Sequence, residues 1–264
     1  MAATSESIRL RLTPALQYRL RIADTCLVHA QRLAEWCGHG PVLEEDIALA
    51  NLALDLLGQA RALLGHVARL EGQGHDEDAL AFLRDEGAYF NLSLVELPLR
   101  RGGGDFADTV LRNFLLASWL QALWRRLVAS SDAELAAIAG KAVKEARYHR
   151  QHAADWVLRL GDGTPESASR LQRALARAWP YTAEMFAADA VDEAAAAAGL
   201  GPTRAALAAD WDADVAAVLG DAGMAPPART AFLSTGTQGR HTEAMGLLLA
   251  EMQVLQRQFP GGRW

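Results

Sequence analysis

Long stretches of helical period, cut to length by glycine and proline, limit this chain to a packing of helices. Thr13-Pro14 is a capping residue followed by proline at a first helical position, and Leu16, Leu20, Ala23, Leu27, Ala30 and Ala34 mark one face of the helix behind it. That helix ends near Trp36, Cys37 and Gly38, and Gly38-His39-Gly40-Pro41 is a tight break. A second helix is expected from about Glu44 to Leu70. Its apolar residues, among them Ile47, Leu49, Leu52, Leu54, Leu56, Leu57, Leu63, Leu64 and Val67, cover every side of the wheel, so it needs cover on more than one side. Later helices of the chain, or another subunit, are the two sources of that cover.

Gly72 to Asp78 breaks the pattern, and a shorter helix is expected over Glu77 to Tyr89. Pro98 and Arg100-Arg101-Gly102-Gly103-Gly104 read as a flexible crossing loop, placed where bundles with one long crossover put theirs. Asp105 caps a third long helix, Phe106 to Val128. Ser131 with Glu134 is a capping-box pair for a fourth, lasting to about Leu160. Thr164-Pro165 opens a further helix that stops near Trp179-Pro180. Residues 190–201 are alanine-rich and ambiguous, Thr203 to Leu219 reads as helix, residues 233–240 as loop, and His241 to Gln258 as the last helix. Residues 1–12 read as a loose arm. No strand-like alternation persists and no solenoid repeat recurs. The expected class is all-α: one domain over 1–264, a four-helix bundle within about 14–161, and a helical extension over 164–264.

With 51% apolar residues the chain can bury a sizeable core. Its net charge of −6, with no long basic run, argues against nucleic acid as a partner. Cys26 and Cys37 make no disulfide framework, and Cys37-Gly38-His39 is too sparse for a zinc motif. No signal-like stretch or membrane span is evident, so a cytoplasmic protein is expected.

Bundles that hold two irons carry Glu-x-x-His on two helices and a lone Glu on each of the others. The stretch Lys144-Glu-Ala-Arg-Tyr-His149 has that frame, but Ala146 stands where the Glu belongs, three residues before His149. Its upstream echo, Asp55 to Gln59, puts Leu56 and Gln59 at the same offsets. A hairpin of the first two helices brings Asp24 about level with Leu56, and one of the next two brings Ala146 about level with Leu115. Between Asp108 and Asp132 there is no Asp, Glu, His or Cys at all. The expectation is a degenerate centre at Leu56, Gln59, Ala146 and His149, with no metal, no cofactor and no catalytic residue.

Asp55, Gln59, Glu145 and His149 are candidates for a buried polar network in the vacated centre, with Tyr148 beside it. The competing reading is an active oxidase with a rearranged site, Glu145, His149 and His152 holding one ion with Asp55. Ser234, Thr235 and His241 lie close in sequence with nothing to orient them as a triad. No nucleophile elbow, phosphate loop or dinucleotide fingerprint is present.

Gln31 to His39, Ala48 to Arg61, Lys144 to His149, His241-Thr-Glu and Leu249 to Arg257 together resemble the C-subunit family of bacterial phenylacetyl-CoA epoxidases. The resemblance runs from about Leu16 to Trp264. It implies a ferritin-like fold and a place in a multicomponent monooxygenase that epoxidises the ring of phenylacetyl-CoA during aerobic phenylacetate breakdown. It also implies a related catalytic subunit with the di-iron centre as partner, a reductase fed by NADPH, and a small bridging subunit. In that catalytic relative Glu-x-x-His stands where this chain has Leu56 and Gln59, and again where it has Ala146 and His149. Only His149 matches, so the resemblance carries no catalytic role to any residue here. A hetero-oligomer is implied, with a homodimer open for the isolated chain.

Overall fold

The computed structural model describes residues 6–98 and 104–262. Four long helices form the centre: α1 (Pro14–Ala34), α2 (Leu43–Glu71), α4 (Phe106–Leu127) and α5 (Ala133–Gly161). The short α3 (Glu77–Phe82) follows α2, and α6 (Pro165–Ala178), α7 (Ala190–Ala197), α8 (Ala208–Asp221) and α9 (Glu243–Gln258) complete the chain. Among the described residues the only extended pairing is two isolated bridges. The expected class, an all-α bundle with C-terminal helices, is the class observed. Most of the crossing loop lies outside the described residues.

Local chemistry fixes the helix ends. The Thr13 hydroxyl accepts from Leu16 N at 3.2 Å, with Pro14 as the first helical residue. Reciprocal capping boxes start α4 (Asp105 with Asp108), α6 (Thr164 with Ser167) and α7 (Asp189 with Asp192). Gly72, at φ +71°, ends α2 in the left-handed conformation that glycine takes without a Cβ clash. The cap of α5 differs from expectation. Asp132, not Ser131, accepts from Glu134 N and Leu135 N, while the Ser131 hydroxyl donates to Ala198 O. A carboxylate one residue closer to the helix wins the cap, and the hydroxyl is freed to hold the extension.

Helix α1 lies along α2, α4 along α5, and the two hairpins meet through α2 and α5. Helices α6 and α8 pack on α4 and α5, and α7 packs on α1. The enclosed helix is therefore α4, with 18 of its 22 residues buried, against 12 of 29 in α2. Trp211 and Trp119, both buried, donate their indole N–H to Leu115 O (2.9 Å) and Met185 O (3.1 Å) and so tie the extension to α4.

Four expectations need correction. By length and composition α2 could cross a membrane, contrary to the reading of no such stretch, although here it packs against α1 and α5. The later helices do not cover it: Leu43, Ile47, Leu54 and Leu57 remain exposed, at 39–70%. Residues 6–12 are not a free arm, since Ile8 N donates to Leu83 O at 2.9 Å and Ile8 bridges Arg84. The short helix also stops at Phe82 rather than Tyr89. Just beyond it Arg84 turns inward, and its guanidinium bonds Leu80 O and Ala88 O.

Candidate functional site

The seam between α2 and α5 carries the polar residues that the two helices share. Glu45 meets His152 (3.0 Å), Asp55 meets His149 (3.0 Å), Gln59 Nε2 donates to Glu145 (2.9 Å), and His66 meets Asp132 (2.6 Å). Rising numbers on one helix against falling numbers on the other make the pair antiparallel. From the α1 side, the Cys26 thiol donates to Gln59 Oε1 at 3.6 Å. Burial, first, and then the carboxylates of Glu145 and Asp24 push that thiol far above its ordinary range. The thiol is held in its protonated, hydrogen-bond-donating form.

The candidate residues of the polar network thus form two separate pairs on this seam, Asp55 with His149 and Gln59 with Glu145. Their burial is uneven: the His149 side chain is 6% exposed and that of Asp55 41%. Burial lowers the His149 pKa, and the Asp55 hydrogen bond and charge offset this only in part. Tyr148 does not belong to a buried network. It is 56% exposed and stacks on the His152 ring at 6.2 Å between centroids. The outer face of α5 simply carries it outward.

Behind the seam, where the four helices converge, is a cavity of only about 10 Å³. That is room for about one water molecule. Its walls are mostly Leu33, Leu52, Leu56, Leu116 and Leu120, and its polar groups are His29, Asn113 and His149. His29 Nδ1 and Asn113 Oδ1 are buried without a partner. Burial holds the His29 pKa well below its usual value, helped by the charges of Arg112 and His149 and only partly opposed by Asn113. No carboxylate lines this space. Two imidazoles and a carboxamide give it no negative charge to offset a pair of iron ions, so the donor set does not fit a di-iron centre. Among the described residues no three His, Cys, Asp or Glu side chains come together in a metal-holding group.

Sequence reasoning missed two polar groups of the wall, His29 and Asn113, and for His29 the cause is register. A tight hairpin would set Asp24 opposite Leu56. Here the first turns of α2 run past the end of α1, so Cys26 faces Gln59 and His29 shares the cavity with Leu56. Helix α4 brings Asn113 and Leu116 to the cavity, on either side of the expected level at Leu115. Asp24 is held elsewhere, fully buried, by Arg84 and by Phe90 N (2.9 Å).

A second buried polar cluster also went unseen. Glu96 accepts from His241 (2.7 Å), Thr242 N (2.7 Å) and Asn91 (2.8 Å). Glu184 takes Ser93 N (2.9 Å), the Ser234 hydroxyl (2.8 Å) and Thr237 N (2.7 Å). Arg21 and Arg204 share Asp192 beside it. Ser234 and His241 therefore serve different acids and form no triad. These groups clamp residues 234–242 onto the bundle. The capping pair Asp189 and Asp192 was the one local signal in the sequence. Cys37-Gly38-His39 is likewise structural, with the Asp46 carboxylate accepting from Gly38 N at 3.0 Å.

Comparison with known proteins follows the same lines. Residues 1–264 match the phenylacetic acid catabolic protein family. The chain is 49% identical over 247 residues to the C subunit of 1,2-phenylacetyl-CoA epoxidase from Escherichia coli (strain K12), across 94% of this chain and 98% of that one. In fold it is similar to a Synechococcus protein with aldehyde deformylating oxidase activity, at TM-score 0.54 and 19% identity, over 80% of this chain and 93% of the other. The bundle is ferritin-like.

Proposed function

This chain belongs to the phenylacetic acid catabolic protein family, and from that premise we propose that it is a metal-free, non-catalytic subunit of a phenylacetyl-CoA epoxidase. In this reading the whole chain works as one ferritin-like unit in a cytoplasmic hetero-oligomer, and its role is to support the di-iron catalytic subunit that epoxidises the ring. The observation that carries the proposal is the lining of the bundle centre, where leucines and two imidazoles occupy the space that two metals and four carboxylates would need. Apolar walls and neutral donors cannot compensate two divalent charges.

The same reading accounts for α2. Leu43, Ile47, Leu54 and Leu57 follow helical spacing on its outer side, and Tyr148 of α5 is exposed beside them across the seam. An exposed apolar stripe of this length on a monomer marks an interaction surface. We assign it to the catalytic subunit, with a contact of the obligate class, roughly 2,000 Å² or more.

Co-expression with the catalytic subunit, followed by size exclusion and metal analysis of both the complex and this chain alone, tests the proposal. A stable complex with iron in the partner only is the expected result. Stoichiometric, chelator-resistant iron in this chain alone would overturn it.

A further inference from the structure

A second concave site lies on the far side of the bundle, in a pocket of about 390 Å³ between α4, α5 and α8. Four guanidinium groups line it, from Arg125, Arg126, Arg147 and Arg150, against only two carboxylates, from Asp210 and Asp214. In a chain of net charge −6 this is a local excess of positive charge. The acids are already engaged. Asp214 accepts from the Ser118 hydroxyl (2.8 Å) and from Nε (3.2 Å) and Nη2 (2.5 Å) of Arg150, and Asp210 accepts from Arg126 at 3.0 Å. Among the described residues Arg125 and Arg147 have no ion-pair or hydrogen-bonding partner, and Arg150 keeps Nη1 free.

Two tethered guanidinia and two unpaired ones converge on a pocket of small-molecule size, where a bound anion would gain from all of them at once. The planar fork of Arg matches phosphate oxygens two at a time, and Gln121 and Gln151 add neutral donors to the wall. We infer that this pocket is an anion site for a phosphate-bearing small molecule, with Arg125 and Arg147 as its capturing residues and Asp214 as the residue that positions Arg150. The inference is independent of the scaffold role, since the site shares no residue with the bundle centre or the α2 stripe.

Calorimetric titration of the full chain with inorganic pyrophosphate and with ADP, citrate serving as a non-phosphate polyanion, tests it. One saturable pyrophosphate site is expected, weakened by salt. The double variant Arg125→Gln/Arg147→Gln should bind at least about tenfold more weakly while its melting temperature without ligand stays unchanged. Both side chains are exposed, so the fold should tolerate the change. Absence of saturation up to about 10 mM, equal binding of citrate, or unaltered binding in the double variant would each overturn the proposal. So would loss of the complex with the catalytic subunit in a variant whose parent binds no pyrophosphate, which would make the pocket a protein contact instead.

Discussion

Arg84 holds Asp24 with both arms of its guanidinium, and neither side chain exposes any surface. The pair joins α1 to the segment after α3, and Phe90 N donates to the same carboxylate. It also removes from the bundle centre the one acid of α1 that hairpin geometry would have put there. Loss of one partner leaves the other charge buried and alone. Asp24→Leu or Arg84→Met alone should therefore cost about 3–5 kcal/mol. The double variant Asp24→Leu/Arg84→Met should recover a large part of that loss. Urea unfolding of the four proteins checks the cycle, and full additivity of the single losses would show that the two groups are not coupled.

Restoring the motif residues should not create an oxygenase. Leu56→Glu, Gln59→His and Ala146→Glu together still leave α4 without a carboxylate at the cavity, where it offers Asn113 and leucines. A new carboxylate at Leu56, in a leucine-lined space of about 10 Å³, and another at the buried Ala146 are overpacked and unpaired, at a cost of several kcal/mol, on the order of 3 or more. A lowered melting temperature with no oxo-bridged iron absorption is the expected outcome. A stable triple variant with that spectrum would contradict the geometry given for the centre.

Two buried histidines should make stability depend on pH in opposite senses. Burial disfavours the charged form of His241, but the hydrogen bond and charge of Glu96, with the Tyr89 carbonyl, outweigh it and raise its pKa above 6.5. Its contribution is complete below about 6.5, the unfolded value, and is lost as pH rises through the raised folded value. Burial lowers the pKa of His149, so its contribution is present above about 6.5 and is lost as pH falls through the folded value. His241→Gln should thus be more harmful at about pH 6 than at about pH 8.5, and His149→Gln the reverse. Melting curves of the three proteins across that range decide it, and equal losses at both ends would refute the assignment.

On the α2 stripe a pair of charges should separate assembly from folding. Leu54 is 63% exposed and Ile47 52%, so Ile47→Lys/Leu54→Lys should change stability by no more than about 0.5 kcal/mol. The same change placed in an interface core should weaken binding to the catalytic subunit by at least about tenfold, since unpaired charge is buried there. Hydrogen–deuterium exchange with and without that subunit locates the contact. Unchanged protection over residues 43–57 on complex formation would exclude this face.

The sequence alone makes the four long helices and most of their caps legible, though not the N-cap of α5 or the end of α3. Capping and breaking are local events, decided by Thr13-Pro14, Asp105, Thr164-Pro165 and Gly72 within a turn of where they act. It also determined that the Glu-x-x-His frames are incomplete, because Leu56, Gln59 and Ala146 are identities rather than positions. Which residues share a level is settled only when the helices pack. The overhang of α2 beyond α1 replaces Asp24 with His29 at the centre, and a register shift of this kind depends on how two whole helix faces pack, which no local signal encodes. The covering of helices was decided in the same way. Helix α4 carries Arg112, Asn113, Ser118 and Gln121 and is nonetheless the enclosed one, because α5, α6 and α8 close around it. Helix α2 is more apolar and keeps one side open, because α6 and α8 dock on α4 and α5 and α7 docks on α1. Burial is a property of neighbours, and the neighbours of α4 lie as far along the chain as Trp211 and Asp214, beyond the reach of any periodicity.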